Sequence, residues 1–263
     1  GVYSDASSTA TNLDSRGGQV SGNGGNISID GSNISIFKGR IDTSATGSGD
    51  GGTITLTSSG SISMGSDDSG FAISSVGGIL EGSGGKVNIS SGGDLTLRGS
   101  SINLYSQGQT GDGGELQISS GSSTLVQAKV NLSAKSQLGD GGNLHVVTTT
   151  RVEMAGIDVS SKVEGSAGSI FIDPEEDIII NGNIVGSASR YGSGANVELK
   201  ADRDIIIHGN ITAFSGEGAV QQPGEAGSIV RLEAKRDVEV LGSIDTYGGV
   251  SGGDGAPVTL LAE

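Results

Sequence analysis

Thirty acidic residues, two histidines and no cysteine decide which chemistry this sequence could carry. A disulfide framework and a cysteine-zinc site are excluded, which leaves carboxylates. Hydrolysis of a glycosidic bond uses two of them about 5–10 Å apart across a groove, and an elimination needs a basic residue beside acids or calcium ligands. Asp67 and Asp68 are the one acidic pair in an inserted loop. No His or Arg accompanies them in their unit, so a loop tip that keeps its charges in water accounts for both. His145 falls at an outward strand position and His208 in a turn, so each is expected as a solvated surface residue.

The most regular polar feature is a column. Asn23, Asp50, Ser83, Asp112, Asp140, Ser166, Ser193, Ala226 and Asp254 each precede a pair of small residues. All but Ala226 are short side chains able to bond their own backbone in a turn. Asp112 and Asp140 would lie about 4.8 Å apart if their units stack, which is the start of a calcium site. The six to eight oxygens such an ion takes are not assembled, and no metal or cofactor is expected. Tyr105, Phe214 and Tyr247 share one outward position of the repeat. A structural aromatic ladder is the plain reading, and contact with a glycan is the functional one. Glu198 and Arg231 lie on the outward side of successive units and read as a surface ion pair, worth about 0–1 kcal/mol.

The elements that position these residues follow from an internal repeat. Small pairs recur at Gly24-Gly25, Gly51-Gly52, Gly84-Gly85, Gly113-Gly114, Gly141-Gly142, Ala167-Gly168, Gly194-Ala195, Gly227-Ser228 and Gly255-Ala256, spaced by 26 to 33 residues. Each launches two aliphatics separated by one residue, the pattern of a strand with one face buried. These are Ile27/Ile29, Ile54/Leu56, Val87/Ile89, Leu116/Ile118, Leu144/Val146, Ile170/Ile172, Val197/Leu199, Val230/Leu232 and Val258/Leu260. A second strand follows in most units, as in Ile34/Ile36, Ile62/Met64, Leu95/Leu97 and Val152/Met154, and the unit around Leu125 breaks that pattern. A third pairs a large residue with an often smaller one, as in Ile41/Thr43, Ile73/Ser75 and Ile157/Val159.

Three strands per unit, with like strands stacked in parallel, make an all-β parallel β-helix, a solenoid of about eight complete coils. Coil length predicts the right-handed form, because left-handed coils are built from hexapeptides and run to about 18 residues. The whole of 1–263 reads as a single domain. Its length variation sits in insertions at 65–71 and 216–225. Val2 to Ala6 match the third strand, as in Ile41 to Ala45, and Val258 to Leu261 form a first strand. The chain is therefore expected as one stretch of a longer β-helix, or as a subunit that associates end to end, with covalent continuation the simpler account.

Composition removes several other classes. Gly supplies 49 of 263 residues, against about 7% in ordinary proteins, yet there is no collagen triplet, and the patterned aliphatics exclude a disordered chain. A net charge of −15 argues against nucleic acid, which needs clustered Lys and Arg, and against an anionic membrane surface. No apolar run approaches the ~20 residues of a membrane span.

With these residues in view, the sequence resembles the repeat region of filamentous-haemagglutinin-like exoproteins of the two-partner-secretion type. The resemblance rests on units such as Gly-Asp-Gly-Gly-Thr-Ile-Thr-Leu-Thr at 49–57 and Gly-Asn-Ile-Thr at 209–212, and it extends over nearly the whole chain. It implies a non-catalytic, Gly-rich fibre of an extracellular or cell-surface adhesin, with cell-surface glycans or matrix as partners. The rival is a β-helical carbohydrate-active enzyme, a polysaccharide lyase or hydrolase, which requires Asp, Glu, Arg or Lys clustered in a groove. The outward residues at the middle of the first strands are Ser28, Thr55, Asn88, Gln117, His145, Phe171, Glu198, Arg231 and Thr259, and no acid pair lies among them.

Overall fold

Alternating branched aliphatics favour extended backbone and give each strand one apolar edge. A single strand cannot bury that edge, so the strands stack coil upon coil. The computed structural model describes all residues except 1, 5–9, 67–69, 100, 189–191, 217–227, 249–254 and 256. Asp67, Asp68, Ala226, Gly227, Asp254 and Ala256 therefore lie outside the described residues. The described chain contains strands and no helix, arranged as three nine-stranded parallel sheets. This is the three-strand-per-coil β-helix of about eight turns that the repeat predicts.

The first sheet consists of Ile27–Gly31, Thr53–Ser58, Lys86–Ser91, Glu115–Ser120, Asn143–Thr148, Ser169–Pro174, Asn196–Ala201, Ile229–Ala234 and Val258–Ala262. Its register aligns the expected inward pairs, with Ile54 on Val87, Leu116 on Leu144 and Val197 on Val230. Leu56, Val87, Leu116, Val146, Leu199 and Leu232 are fully buried. The second sheet runs from Val2–Ser4 through Ile34–Ile36 to Asp237–Val240, and the third from Thr11–Asp14 through Gly39–Asp42 to Ile244–Asp245. The three inward edges meet in one aliphatic core along the solenoid.

Two readings change. Val2–Ser4 pairs with Ile34–Ile36, so it belongs to the second sheet and not to the third. The third-sheet position is taken by Thr11–Asp14, which sets Leu13 against Ile41. A three-residue alternating segment fits either column by pattern alone, and the competing strand decides between them. The irregular unit around Leu125 is a regular strand, Thr124–Val126, with Leu125 facing out and Thr124 and Val126 buried. Thr124 occupies the slot held by Leu95 and Val152 on the neighbouring coils. A polar residue in that slot conceals the alternation. The third sheet also gains Ile184, stacked between Ile157 and Ile211.

The corner between the third and first sheets is made by glycine. Gly22, Gly49, Gly82, Gly111, Gly165 and Gly192 have φ between 101° and 138°, a region that side chains rarely enter. One residue later stand Asn23, Asp50, Ser83, Asp112, Ser166 and Ser193, and Asp140 joins their column after Gly139, which keeps an ordinary φ. The next glycine pairs turn the chain sharply into the first sheet. A Cβ on Gly113 would overlap the carbonyl oxygen of Leu132.

Candidate functional site

The short polar column binds the neighbouring coil and not its own turn. Asn23 Oδ1 accepts from Asp50 N at 2.9 Å and Asp50 Oδ1 from Ser83 N at 2.8 Å. Ser83 Oγ accepts from Asp112 N at 3.1 Å, Asp112 Oδ1 from Asp140 N at 2.8 Å and Asp140 Oδ1 from Ser166 N at 2.7 Å. Ser166 Oγ completes the run with Ser193 N at 3.2 Å. The expectation of a local turn is thus corrected. In these parallel coils the side-chain oxygen reaches the backbone N–H of its own counterpart one coil on. The same device recurs at other corners, where Asn183 Oδ1 accepts from Asn210 N and Asn210 Oδ1 from Ser243 N, both at 2.9 Å.

Beside this column runs an open groove of about 690 Å³, bordered by Asp50, Asp112 and Asp140 and floored by glycine pairs. Close packing of the corner explains the glycines. Asp112 and Asp140 each commit one carboxylate oxygen to a backbone N–H, and no group of three potential metal ligands forms among the described residues.

The three aromatic candidates separate into two places. Phe214 and Tyr247 stack with centroids 4.6 Å apart and planes 8° apart, so one face of each ring is covered. Tyr105 lies in the same corner column, with Ser133, Ser160 and Ser187 on the coils between it and Phe214, as the backbone bonds along that corner require. The Lys135 ammonium sits 3.4 Å from the Tyr105 ring centroid. His145 does face outward, but it is not a free surface residue. It stacks on Phe171 at 4.9 Å with a 12° interplanar angle, and the Lys200 ammonium lies 5.5 Å from the far ring. Period-two register alone brings His145 and Phe171 together. His208 is exposed in its turn.

The expected Glu198–Arg231 pair is replaced by contacts within each strand. The two residues are neighbours in register, yet Glu198 pairs with Lys200 at 2.6 Å. Arg231 Nε donates to Glu233 Oε1 at 2.6 Å. A partner two residues away on the same face costs less ordering than one on the next coil. Arg231 retains only a longer-range attraction to Glu198.

A cluster of carboxylates beside arginines also lies at the third sheet. Asp14 and Asp42 are neighbours in register. Arg40 reaches Asp14 at 2.9 Å and Asp42 at 3.3 Å, and Arg16 reaches Asp14 at 2.8 Å. The Arg16 hydrogen bond holds the Asp14 carboxyl below its ordinary range, and the same bond raises the Arg16 guanidinium. Asp42 is buried and also accepts from Ser44 N at 2.9 Å. Asp158 repeats that arrangement with Ser160 N at 3.0 Å. The signal in the sequence is an Asp or Asn two residues before Ser at the exit of the third strand, at Asp42, Asn131 and Asp158. Where Val185 breaks it, the buried Ser187 hydroxyl has no partner. Compared with protein-family profiles, with curated proteins and with solved structures, the chain matches none significantly.

Proposed function

We propose that this chain is a non-catalytic, structural and adhesive segment of a β-helical fibre carried outside the cell or on its surface. One observation carries the reading: the polar side chains that could do chemistry hold coil to coil or charge to charge. The Asn23–Ser193 column links successive coils through backbone N–H groups. The carboxylate pairs beside arginines, Asp14 with Asp42, Glu176 with Asp177 and Asp204 with Asp237, are each held in ion pairs by them. The resemblance of the repeat to filamentous-haemagglutinin-like exoproteins points the same way, with surface glycans or matrix as partners. The net charge of −15 disfavours nucleic acid.

A polysaccharide lyase or hydrolase is the competing reading, and turnover separates the two. Incubation with acidic and neutral polysaccharides is expected to release neither reducing ends nor unsaturated products. Sustained product formation that disappears in Asp42→Ala or Arg40→Ala would overturn the proposal.

A further inference from the structure

Most cations of this acidic chain rest against carboxylates, as Lys86 does on Glu115, Arg203 on Asp177 and Arg236 on Asp204. One corner departs from that rule. Lys129, Lys135 and Lys162 are exposed on two successive coils, and Lys135 feels the two other lysines and the Asp158 carboxylate. Asp158 is buried, already accepts from Ser160, and is approached by Lys162 at 3.6 Å. Lys162 is thus the lysine that holds Asp158, and Lys135 has no ion-pair partner among the described residues. Loss of hydration and the two neighbouring lysines hold the Lys135 ammonium below its ordinary range, with Asp158 opposing them. A bound anion would relieve that repulsion.

The corner is also ordered. Lys135 N donates to Ser106 O and Lys162 N to Ala134 O, so the two lysines occupy one column, a coil apart, or about 4.8 Å of backbone spacing. The Tyr105 ring holds the Lys135 ammonium at 3.4 Å, a cation–π contact that orients the charge before a ligand arrives. Gln107 precedes Lys135 in the same column and adds an amide.

We propose that the corner of Tyr105, Lys135 and Lys162 binds a carboxylate-bearing polysaccharide, a polyuronate, laid along the solenoid axis. Charge complementarity selects an anion. The −15 charge of the chain works against any polyanion, and one carboxylate per sugar keeps that repulsion below the repulsion of a polysulfated polymer. The hydroxyl-rich polymer also suits the amide and phenol at the site. The proposal rests on the adhesive reading only in treating binding as an end in itself, without turnover.

The test is titration of polygalacturonate into the intact 263-residue chain by calorimetry at low salt. Binding is expected, weakening as salt rises. Lys135→Ala/Lys162→Ala should weaken it at least tenfold, and Tyr105→Leu several-fold. Lys135→Arg/Lys162→Arg should retain it, and Lys200→Ala, which removes an ion-paired lysine on the first sheet, should leave it unchanged. Circular dichroism of each variant verifies the fold. No binding, or binding indifferent to the double alanine variant, overturns the site. Equal affinity for dextran sulfate or polyglutamate overturns the ligand class. Product analysis on the same mixtures keeps the two proposals apart: cleavage with binding intact overturns the non-catalytic reading and leaves this site standing.

Discussion

Asp140 joins three coils, because its backbone N–H donates to Asp112 and its side chain accepts from Ser166. Asp140→Ala removes an acceptor worth about 1 kcal/mol, and a fall in Tm of about 2–4 °C is expected for a chain of this size. Asp140→Asn should stay close to the parent, since Asn23 performs the same task with an amide. An equal loss in both variants would mean that charge, and not the acceptor, matters at the column. Thr124 gives the opposite expectation. Its hydroxyl is buried without a partner between Leu95 and Val152, so Thr124→Val removes an unsatisfied group and should raise Tm. Acid behaviour follows from the arginine-bound carboxylates. Hydrogen bonds from Arg16 and Arg236 hold Asp14 and Asp204 below the ordinary value of 3.8. Their contribution is present in full above that value and is lost as pH falls through the lower folded values. Arg236→Ala should therefore flatten the acid limb of a Tm-against-pH curve while leaving its shape between pH 5 and 7 unchanged.

Strands and corners were legible to different degrees, for physical reasons. Every first-sheet strand can be read because two inward aliphatics follow each small pair, and a solenoid core admits little else. The second-sheet strand at Thr124–Val126 is hidden by its polar inward residue, and Ile184 is hidden because Gly186 takes the second position of its pair. The corner column could be seen, but its partners could not, since spacing shows that a side chain recurs and not which N–H it meets. Lys135 over Tyr105 is likewise a contact between residues 30 apart. The glycine preceding the column tests the corner as an element. Gly111 has φ of 127°, and a Cβ there would overlap the Gly82 carbonyl oxygen. Gly111→Ala should cost more than the about 1–3 kcal/mol of backbone strain alone. It should lower Tm well beyond Asp140→Ala, whereas a comparable small effect would show that the corner is pliable.

At the scale of the molecule, each coil owes its stability to its two neighbours. Inward layers such as Leu116, Leu144 and Ile170 are buried because another layer lies on either side. Val258 and Leu260, covered on one side by Val230 and Leu232, are 43% and 50% exposed. In such an array, stability is a sum of coil terms and nearest-neighbour interfaces, so protection should be graded along the axis. Hydrogen exchange on the 263-residue chain is expected to be slowest at Asn143–Thr148 and fastest at Val258–Ala262. Leu144→Ala, a large-to-small change in the core costing about 2–5 kcal/mol, should speed exchange most in the coils directly above and below it, at Glu115–Ser120 and Ser169–Pro174. Ile27–Gly31, four coils away, should change little. A uniform loss of protection from one end to the other would mean that the solenoid opens as one cooperative unit, in which the interface terms dominate the coils they join.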